Sequence, residues 1–287
     1  MPNVYVNGLF LPPERAMVPV MDRAYLFADG VYEVIPVYRG KPFHVDRHLA
    51  RLRRSLTAVG IPEPMDGPAW AAVFQRLIDE YARERGSDDL ALYLQVSRGA
   101  GATRSHGGDA DLVPAVTVFT LDRAEAASPE LEPGTVAVTV EDLRWGRCDI
   151  KSTALLPNVL ATQQAQAQGA EEAILIRDGQ LTEGAASNIF VVREGRVSTP
   201  PIGPTLLAGV TREVVIGLLR SADIPIEEVP VFAADLARAE EIWRTNSTRE
   251  VQPITRLNGS PVGDGEPGPL WRKTRALFDA HKASVSK

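Results

Sequence analysis

The chain contains 287 residues, enough for one large or two ordinary domains and for a core that needs no disulfide or structural metal. Acidic residues outnumber basic ones by 37 to 31, and the net charge of -6 argues against a broad nucleic-acid-binding surface. The single cysteine, Cys148, excludes an intramolecular disulfide framework and predicts a reducing, cytoplasmic location. Neither a signal peptide nor an apolar run long enough to span a bilayer is visible, so no membrane association is expected.

The N-terminal half combines alternating apolar patterns, typical of strands, with helical ones. Tight turns are expected at Asn7-Gly8 and Arg39-Gly40. Asp46 is the expected N-cap of the first helix, and Gly60 is expected to end it. The predicted elements are strands at 4–6 and 30–38, a helix between Asp46 and Gly60, a helix at 68–85, and strands at 90–96 and 115–120.

A polar stretch of small residues separates the two halves. Residues 121–134 include Asp122-Arg123-Ala124-Glu125 and end with Pro133-Gly134, a composition typical of interdomain linkers. We therefore predict a small N-terminal domain over residues 1–120 and a larger C-terminal domain over residues 135–287.

The C-terminal half mixes strands and helices without a strict alternation between them. This order favours an α+β fold over a doubly wound parallel sheet. The strand at 188–193 is expected to continue the hairpin that begins at 173–177. The predicted elements are a strand at 136–140, a helix at 154–168, strands at 173–177 and 188–193, a helix at 209–221, a short strand at 242–243 and a helix at 270–282.

Lys151 lies between a predicted strand and a predicted helix. In a pocket at such a junction, a lysine amine can lose its proton and attack an aldehyde to form a Schiff base. A solvated lysine at a turn is the simpler interpretation, and it is favoured while this residue is considered alone.

The segment 182–190 places an acid, Glu183, before four small or polar residues and an apolar strand. Small residues allow a backbone to approach a ligand closely, and a carboxylate there could hold a protonated heterocyclic nitrogen. A polar loop with Glu183 in water is the alternative, and it is favoured while this segment is considered alone.

Two further segments have the composition of phosphate sites. Gly209 leads directly into a helix whose first residues, Val210 and Thr211, offer free N–H groups and a hydroxyl. Residues 245–248 form a second hydroxyl-rich turn. An ordinary glycine cap and an ordinary turn are the alternatives for these two segments.

Five short motifs follow one another along most of the chain: His48 to Leu52, Asp149 to Lys151, Glu183 to Asn188, Leu207 to Arg212, and Ser247-Thr248. Their order resembles the fold-type IV pyridoxal phosphate (PLP) enzymes, and five ordered motifs are more specific than any one of them. That family includes branched-chain aminotransferases, D-amino acid aminotransferases, (R)-amine transaminases and aminodeoxychorismate lyase. The resemblance implies a small N-terminal α/β domain and a larger C-terminal pseudo-barrel domain.

The resemblance implies PLP as the cofactor and assigns roles to single residues. Lys151 matches the Schiff-base lysine, which also moves the proton between the substrate Cα and the cofactor. Glu183 matches the acid beside the pyridine nitrogen, whose protonated form makes the cofactor an electron sink. Arg51 matches the phosphate-binding arginine through the His-x-x-Arg-Leu pattern, with Arg53 and Arg54 as competitors.

Further cofactor contacts follow from the same resemblance. Val210 and Thr211 match the phosphate site at the helix start, and Ser247 and Thr248 match a further phosphate contact. Leu207 matches the apolar residue that packs on the cofactor ring.

Two segments, 22–34 and 143–152, look most like the D-amino acid aminotransferases within the family. In that subfamily a tyrosine, an arginine and a histidine bind the substrate α-carboxylate, and the last two come from the partner subunit. Tyr32 matches the tyrosine. The resemblance therefore implies a homodimer with active sites near the subunit interface.

Arg104 and His106 are the candidates for the arginine and the histidine of this carboxylate site. Such a site needs a cation to bind the carboxylate, and the guanidinium group of an arginine can bind both carboxylate oxygens. The loop departs from the family pattern, since it is one residue longer and Thr103 stands where proline is usual. Arg98 is therefore an alternative candidate, and a mobile surface loop is the alternative to any carboxylate site.

The resemblance thus implies a PLP-dependent transaminase that moves the amino group of a D-amino acid, such as D-alanine, to a 2-oxo acid, such as 2-oxoglutarate. A branched-chain L-amino acid transaminase, an (R)-amine transaminase and aminodeoxychorismate lyase are alternatives, as is a non-catalytic dimer with the same fold. No metal site is predicted, because only His44 and His48 among the four histidines have a suggestive spacing, which straddles a helix start.

Overall fold

The computed structural model describes residues 2–107, 112–123 and 134–285; most of the predicted linker, 124–133, lies outside them. The described residues form two compact units. The first contains the residues up to 123 together with residues 150–154, and the second contains the others. Strands and helices occur in both units, and the predicted α+β class is confirmed. No helix in the described part of the chain is long and apolar enough to cross a membrane.

The first unit contains a six-stranded antiparallel sheet and three α-helices. Its strands are β1 (Val4–Val6), β2 (Leu9–Leu11), β3 (Gly30–Tyr38), β4 (Lys41–Pro42), β5 (Leu90–Ser97) and β6 (Ala115–Asp122). They lie in the order β2-β1-β6-β5-β3-β4. A 3-10 helix (Pro13–Arg15) follows β2, and the α-helices are α1 (Arg23–Phe27), α2 (Val45–Val59) and α3 (Gly67–Arg85).

The helices α2 and α3 form the core of this unit with one face of the sheet. Leu52 of α2 and Phe74 of α3 belong to the same buried cluster as Val31 of β3. Successive side chains of a strand point to opposite faces, so Tyr32 lies on the face away from this core. Glu33 shares the core face with Val31, which places a carboxylate inside the unit.

Most predicted elements of the first unit are confirmed. The hairpin at Asn7-Gly8 forms, and Gly60 ends α2 in the left-handed conformation. The predicted N-cap Asp46 is wrong, because α2 begins at Val45 and its N-cap is His44, with a φ of 48°. Since His44 makes the turn, Asp46 falls inside the first helical turn, where its charge complements the helix dipole.

Gly99, which lies two residues after β5, has a backbone conformation that favours glycine. Its φ is +102°, and an added Cβ would lie 2.1 Å from the carbonyl oxygen of Val113. We expect Gly99→Ala to lower the free energy of unfolding by about 3 kcal/mol, measured by urea denaturation. Gly86→Ala is the matched control and should cost only about 1 kcal/mol, since φ is +69° but nothing lies within 4 Å of the added Cβ. Equal losses in the two variants would contradict the steric argument.

The second unit contains a nine-stranded mixed sheet that curls into a half-barrel, and four helices. Its strands are β7 (Thr135–Glu141), β8 (Glu172–Arg177), β9 (Gln180–Gly184), β10 (Asn188–Arg193), β11 (Arg196–Thr199), β12 (Ile226–Glu228), β13 (Glu241–Asn246), β14 (Glu250–Leu257) and β15 (Ser260–Pro261). The order is β12-β11-β10-β13-β14-β7-β8-β9, with β15 paired to β14. The helices are α4 (Leu156–Ala167), α5 (Val210–Ser221), α6 (Ala233–Leu236) and α7 (Pro269–Val285).

Two predictions for the C-terminal half are wrong in detail. The strand at 188–193 does not continue the hairpin of β8, because β8 pairs with β9 while β10 pairs with β11 and β13. Glu183 therefore lies on β9 and not in an insertion between strands. The helix predicted at 154–168 begins only at Leu156, since residues 150–154 belong to the first unit.

Candidate active site

Residues 150–154 are fixed in the first unit by β3 and α2. The amide of Tyr32 donates to the carbonyl of Lys151 at 2.9 Å. The amide of Lys151 donates to Ser55 Oγ of α2 at 3.2 Å, and Ile150 is buried in the core cluster of the unit. The backbone of Lys151 is therefore held by a strand on one side and a helix on the other.

The amine of Lys151 lies over an aromatic ring. Its Nζ is 4.1 Å from the centroid of the Tyr32 ring, and that ring stacks on Tyr93 with centroids 5.6 Å apart. Burial raises the pKa of Tyr93 to about 12, so its phenol is neutral at physiological pH. Because an aromatic face attracts an ammonium group, the stack orients the amine. Lys151 and Tyr32, two of the predicted site residues, are thus brought together.

A cluster of three polar side chains, Glu33, His48 and Arg51, is buried in the same unit. Arg51 donates through Nε and Nη2 to the two carboxylate oxygens of Glu33, at 2.8 and 2.7 Å. His48 Nδ1 lies 2.8 Å from Glu33 Oε2. Burial alone would raise the pKa of Glu33, but the charge and hydrogen bonds of Arg51 lower it to about 2. Burial also lowers the pKa of His48 below its usual range, which favours the neutral imidazole.

Arg51 differs from the two competing arginines of α2 in its burial. Its side chain is enclosed by the unit, whereas Arg53 and Arg54 are exposed. Arg53 forms a surface ion pair with Glu63 at 2.8 Å. The bidentate pair with Glu33 fixes the plane of the Arg51 guanidinium, a geometry that suits an oriented anion-binding group. Phosphate binding by Arg51 stays a prediction.

Arg104 and His106 lie on the loop after β5, and both side chains are exposed. They meet at one ring: the Arg104 guanidinium carbon is 4.9 Å from the centroid of Phe27, and the imidazole of His106 is 5.1 Å from it, edge to face. The structure therefore brings these two predicted residues together. Their binding of a carboxylate stays a prediction.

Arg98, the alternative candidate for binding the substrate carboxylate, forms hydrogen bonds within the first unit. It donates through Nε and Nη2 to the two oxygens of Asp29, at 2.8 and 3.0 Å. It also donates to the carbonyls of Gly60 and Val59 at the end of α2, at 2.9 and 2.6 Å. All three guanidinium nitrogens have partners, so the geometry gives Arg98 a structural role and does not favour the alternative.

The carboxylate of Glu183 is buried in the second unit and is held by three donors. Arg144 donates to Oε1 through Nη1. The amide of Leu207 donates to Oε2 at 3.0 Å, and Asn188 Nδ2 donates to the same oxygen at 3.2 Å. The alternative that Glu183 stands in water is therefore wrong, since only 8% of its side chain is exposed. Glu183 and Leu207, both predicted cofactor contacts, are thus joined by a hydrogen bond from the backbone amide of Leu207.

Arg144 is shared between two carboxylates. Besides Glu183, it binds both oxygens of Asp142, at 2.9 Å through Nε and at 2.9 Å through Nη2. Burial would lower the pKa of Arg144, but the hydrogen bonds to Asp142 and the charge of Glu183 raise it above its ordinary value. Arg144 is thus a permanent cation that sets the direction of the Glu183 carboxylate.

Helix α5 begins at Val210 without a side-chain cap, because its N-cap residue is Gly209. The first N–H groups of any helix have no partner within the helix and can bind an anion, and Thr211 is buried at this end. A Cβ at Gly209 would lie 2.0 Å from Asn188 Oδ1. Asn188 also donates to the carbonyl of Leu207 at 2.9 Å, so the segment before α5 is tied to the strand that follows Glu183.

The turn after β13 is closed by the side chain of Asn246. Its Oδ1 accepts hydrogen bonds from the amide and the hydroxyl of Thr248, at 3.1 and 3.3 Å, and from the amide of Arg249 at 2.7 Å. Ser247 and Thr248 are half-buried. The turn is shorter than the sequence predicts, since Thr245 is still part of β13.

Comparison with known proteins decides the family. Residues 30–257 match the sequence profile of the family described as amino-transferase class IV. The chain belongs to the class IV aminotransferases. The D-alanine aminotransferase of Bacillus licheniformis is 40% identical to it over 276 residues, which cover 96% of this chain and 95% of that relative.

Two solved class IV structures share the fold. The branched-chain amino acid aminotransferase of Escherichia coli superimposes with a TM-score of 0.86 at 24% identity, covering 97% of this chain and 94% of that one. The branched-chain aminotransferase of the thermophilic archaeon Thermoproteus uzoniensis, solved with norvaline, gives a TM-score of 0.82 at 25% identity, covering 96% and 93%. At this level of identity the likeness shows the fold alone.

Class IV aminotransferases are PLP enzymes. PLP carries an aldehyde, a pyridine nitrogen and a phosphate. Within the first unit, the amine of Lys151 over the Tyr32 ring is a group that can react with an aldehyde. Within the second unit, the buried carboxylate of Glu183 has the chemistry to hold a protonated nitrogen, and the uncapped start of α5 at Gly209 has the chemistry to bind a phosphate.

Sequence reasoning missed two residues that orient the predicted ones in this class IV aminotransferase, Glu33 and Arg144. Glu33 had a signal, because it alternates with Val31 and Ile35 and so occupies an inward position of an apolar strand. A carboxylate there is almost never fully buried unless it is paired. Arg144 lies in the segment 143–152 that resembles the D-amino acid aminotransferases, but nothing in that segment indicated its partners, since a polar residue shortly after a strand is ordinary.

Proposed function

We propose that this class IV aminotransferase is a D-amino acid transaminase that uses PLP. It transfers the amino group of a D-amino acid, such as D-alanine, to a 2-oxo acid, such as 2-oxoglutarate, and releases the 2-oxo acid of the donor and the amino acid of the acceptor. The observation that carries the proposal is the similarity to a D-alanine aminotransferase, at 40% identity over 96% of the chain. The likeness to branched-chain enzymes, at 24% and 25% identity, supports only the fold.

Lys151 is the catalytic residue in this proposal. When bound, PLP supplies an electron sink for the charge that develops as the substrate Cα loses its proton. Lys151 Nζ would hold the cofactor until the substrate amine displaces it, and the freed amine would then take the Cα proton. The face of Tyr32, 4.1 Å from Nζ, favours the resulting ammonium. The backbone bonds of Lys151 to Tyr32 and Ser55 keep the amine in place during the transfer.

The remaining cofactor contacts divide between the ring and the phosphate. Glu183 would accept a hydrogen bond from the protonated ring nitrogen, and its three donors hold the carboxylate in one direction. Leu207 packs against the ring. The groups that would hold the phosphate in this proposal are the arginine that Glu33 orients, the start of α5 and the turn after β13, namely Arg51, Val210, Thr211, Ser247 and Thr248.

Tyr32, Arg104 and His106 bind the substrate α-carboxylate in this proposal, and the last two serve the active site of the partner protomer. The enzyme is accordingly a homodimer with active sites near the subunit interface. The exposure of Arg104 and His106 supports a role toward a second chain. The single buried cysteine, Cys148, fits a reducing, cytoplasmic location.

A half-reaction panel tests the proposed donor. The PLP-loaded enzyme is mixed separately with D-alanine, L-leucine and (R)-1-phenylethylamine, and the cofactor absorption is followed. We expect D-alanine to react at least about a hundredfold faster than the other two. Faster reaction of L-leucine or of the amine would assign the chain to another branch of the family. Pyruvate release from aminodeoxychorismate, without a 2-oxo acid, would make it a lyase.

Arg104→Ala tests the carboxylate site. Loss of a charge-assisted pair is expected to raise KM for D-alanine and for 2-oxoglutarate about ten- to a hundredfold. Arg15→Ala removes an exposed arginine from the 3-10 helix and should leave both KM values unchanged. An unchanged KM in Arg104→Ala would remove Arg104 from the site.

A further inference from the structure

The loop that carries Arg104 and His106, residues 100–107, is tied to the short helix α1. The amide of Arg23 donates to the carbonyl of Gly99 at 3.0 Å, and Asp22 forms an antiparallel bridge with Ala100. Asp22 is 3% exposed, caps α1 by accepting from the amide of Ala24, and accepts a hydrogen bond from Ser97 Oγ at 2.7 Å. The start of the loop and the start of α1 therefore form one hydrogen-bonded assembly.

The guanidinium of Arg23 holds the far end of the same loop. It donates through Nη1 to the carbonyl of Ser105 and through Nη2 to the carbonyl of His106 at 3.0 Å. Its Nε donates to Asp29 Oδ2 at 2.8 Å. Arg23 is buried, with 7% of its surface exposed, although it carries a full charge. Two of its three hydrogen bonds therefore fix the successive peptide groups on either side of the His106 α-carbon, and the third ties Arg23 to Asp29.

The ring of Phe27, one turn further along α1, orients the side chains of the loop. The guanidinium carbons of Arg23 and Arg104 each lie 4.9 Å from its centroid, and the imidazole of His106 meets it edge to face at 5.1 Å. Guanidinium groups are attracted to aromatic faces, and edge-to-face ring pairs are favourable. The side chains of Arg104 and His106 thus contact one common ring.

Asp29 anchors this assembly to the rest of the first unit. It accepts from Arg23 and also binds Arg98, which is bonded to the carbonyls at the end of α2. Burial would raise the pKa of Asp29, but hydrogen bonds from Arg98 and Arg23 hold it below its usual range. The carboxylate is therefore ionised at neutral pH, and the loop is connected by charged hydrogen bonds to a core helix.

We propose that Arg23 is a positioning residue for substrate specificity, which together with Phe27 presents Arg104 and His106 to the substrate α-carboxylate. The inference rests on the proposed function, because it needs those two residues to bind that carboxylate. Bidentate recognition requires the guanidinium to be held within a fraction of an ångström, and a loop without such support loses affinity. Arg23 itself touches neither substrate nor cofactor in this role.

Arg23→Lys tests the proposal, because lysine keeps the charge beside Asp29 but cannot bond all three acceptors in a fixed plane. We expect KM for D-alanine and for 2-oxoglutarate to rise about tenfold, while kcat at saturation stays within about twofold. The inhibition constant of propionate, a probe with a carboxylate and no amine, should rise by the same factor. Cofactor absorption should not change, and deuterium uptake in residues 101–107 should increase.

Phe27→Leu is the second variant and removes the ring while keeping an apolar side chain, so it carries the test if Arg23→Lys does not fold. It should raise KM and the propionate constant in the same way. Arg76→Lys is the matched control, since this exposed arginine of α3 also stacks on an aromatic ring, Phe10, at 3.8 Å. Its kinetic constants should equal those of the wild type.

Three outcomes decide the proposal. A selective rise in KM and in the propionate constant supports it. Wild-type KM values in Arg23→Lys or, where that variant does not fold, in Phe27→Leu, alongside a raised KM in Arg104→Ala, overturn the positioning role and leave the proposed function intact. An unchanged KM in Arg104→Ala overturns the carboxylate site, and the inference falls with it.

Discussion

Lys151→Ala is expected to abolish transamination and to leave the fold intact. Proton transfer by a positioned side chain contributes about 10²–10⁴-fold to a rate, and the same residue holds the cofactor in the proposed mechanism. We therefore expect kcat to fall by at least about 10³-fold. The fold survives because the bonds of Lys151 to Tyr32 and Ser55 are made by its backbone, which alanine retains.

Single-turnover reaction with D-alanine measures the loss for Lys151→Ala. Borohydride reduction followed by peptide mass spectrometry adds a readout that does not depend on turnover. The wild type should retain the cofactor on the peptide that contains Lys151, and the variant should retain none. Lys273→Ala, at an exposed position of α7, should change neither result. Turnover within about tenfold of the wild type, or cofactor trapped on another lysine, contradicts the assignment.

Glu33→Gln is expected to cause the largest loss of stability of any conservative substitution proposed here. Arg51 donates twice to this carboxylate, and the side chains of both residues are at most 5% exposed. Glutamine removes the negative charge and replaces one acceptor oxygen with an amide NH2, so the buried Arg51 cation loses the counter-charge of Glu33 and one of the two hydrogen bonds to it. Removing one partner of such a pair costs about 3–5 kcal/mol.

Urea unfolding at neutral pH measures the loss for Glu33→Gln from the midpoint and the slope. Glu63→Gln is the matched control, because Glu63 pairs with Arg53 of the same helix at the surface, with side chains 38% and 48% exposed. An exposed pair contributes about 0–1 kcal/mol. A loss in Glu33→Gln no larger than in the control would mean that the buried pair adds nothing to stability.

The same comparison has a defined pH dependence. The pKa of Glu33 is about 2 in the folded protein against an ordinary value of 4.5. Below pH 4.5 the unfolded chain binds a proton that the folded carboxylate does not, so the contribution of Glu33 is present above pH 4.5 and declines as the pH falls towards 2. The stability difference between the wild type and Glu33→Gln should therefore narrow between pH 5 and pH 3.

The sequence predicts those parts of the fold that local patterns determine. The alternation of apolar residues predicts β3. Asn7-Gly8 predicts the turn between β1 and β2, and Gly60 predicts the end of α2, because both depend on the local backbone conformation. The pairing of β10 is not local: its neighbours are β11 and β13, the second of them about fifty residues away. No pattern within 188–193 distinguishes that partner from β8.

The predicted site residues are those proposed to contact a ligand, and the missed ones contact other residues of the chain. Lys151 and Glu183 stand out because a motif fixes their chemistry and their order in the chain. Glu33 and Arg144 bind side chains that are distant in sequence, at positions 51 and 183. Their partners can be identified only in the folded chain, although the inward position of Glu33 in the sequence already predicts a cationic side chain beside it.

During synthesis, β3 leaves the ribosome well before the residues that complete its pairing. Until residues 150–154 follow, the amide of Tyr32 lacks the carbonyl of Lys151, and the core lacks Ile150. A nascent chain that ends within residues 124–149 therefore holds an unfinished first unit. Lys151 is thus among the last described residues to join the first unit, after part of the second unit has already been synthesised.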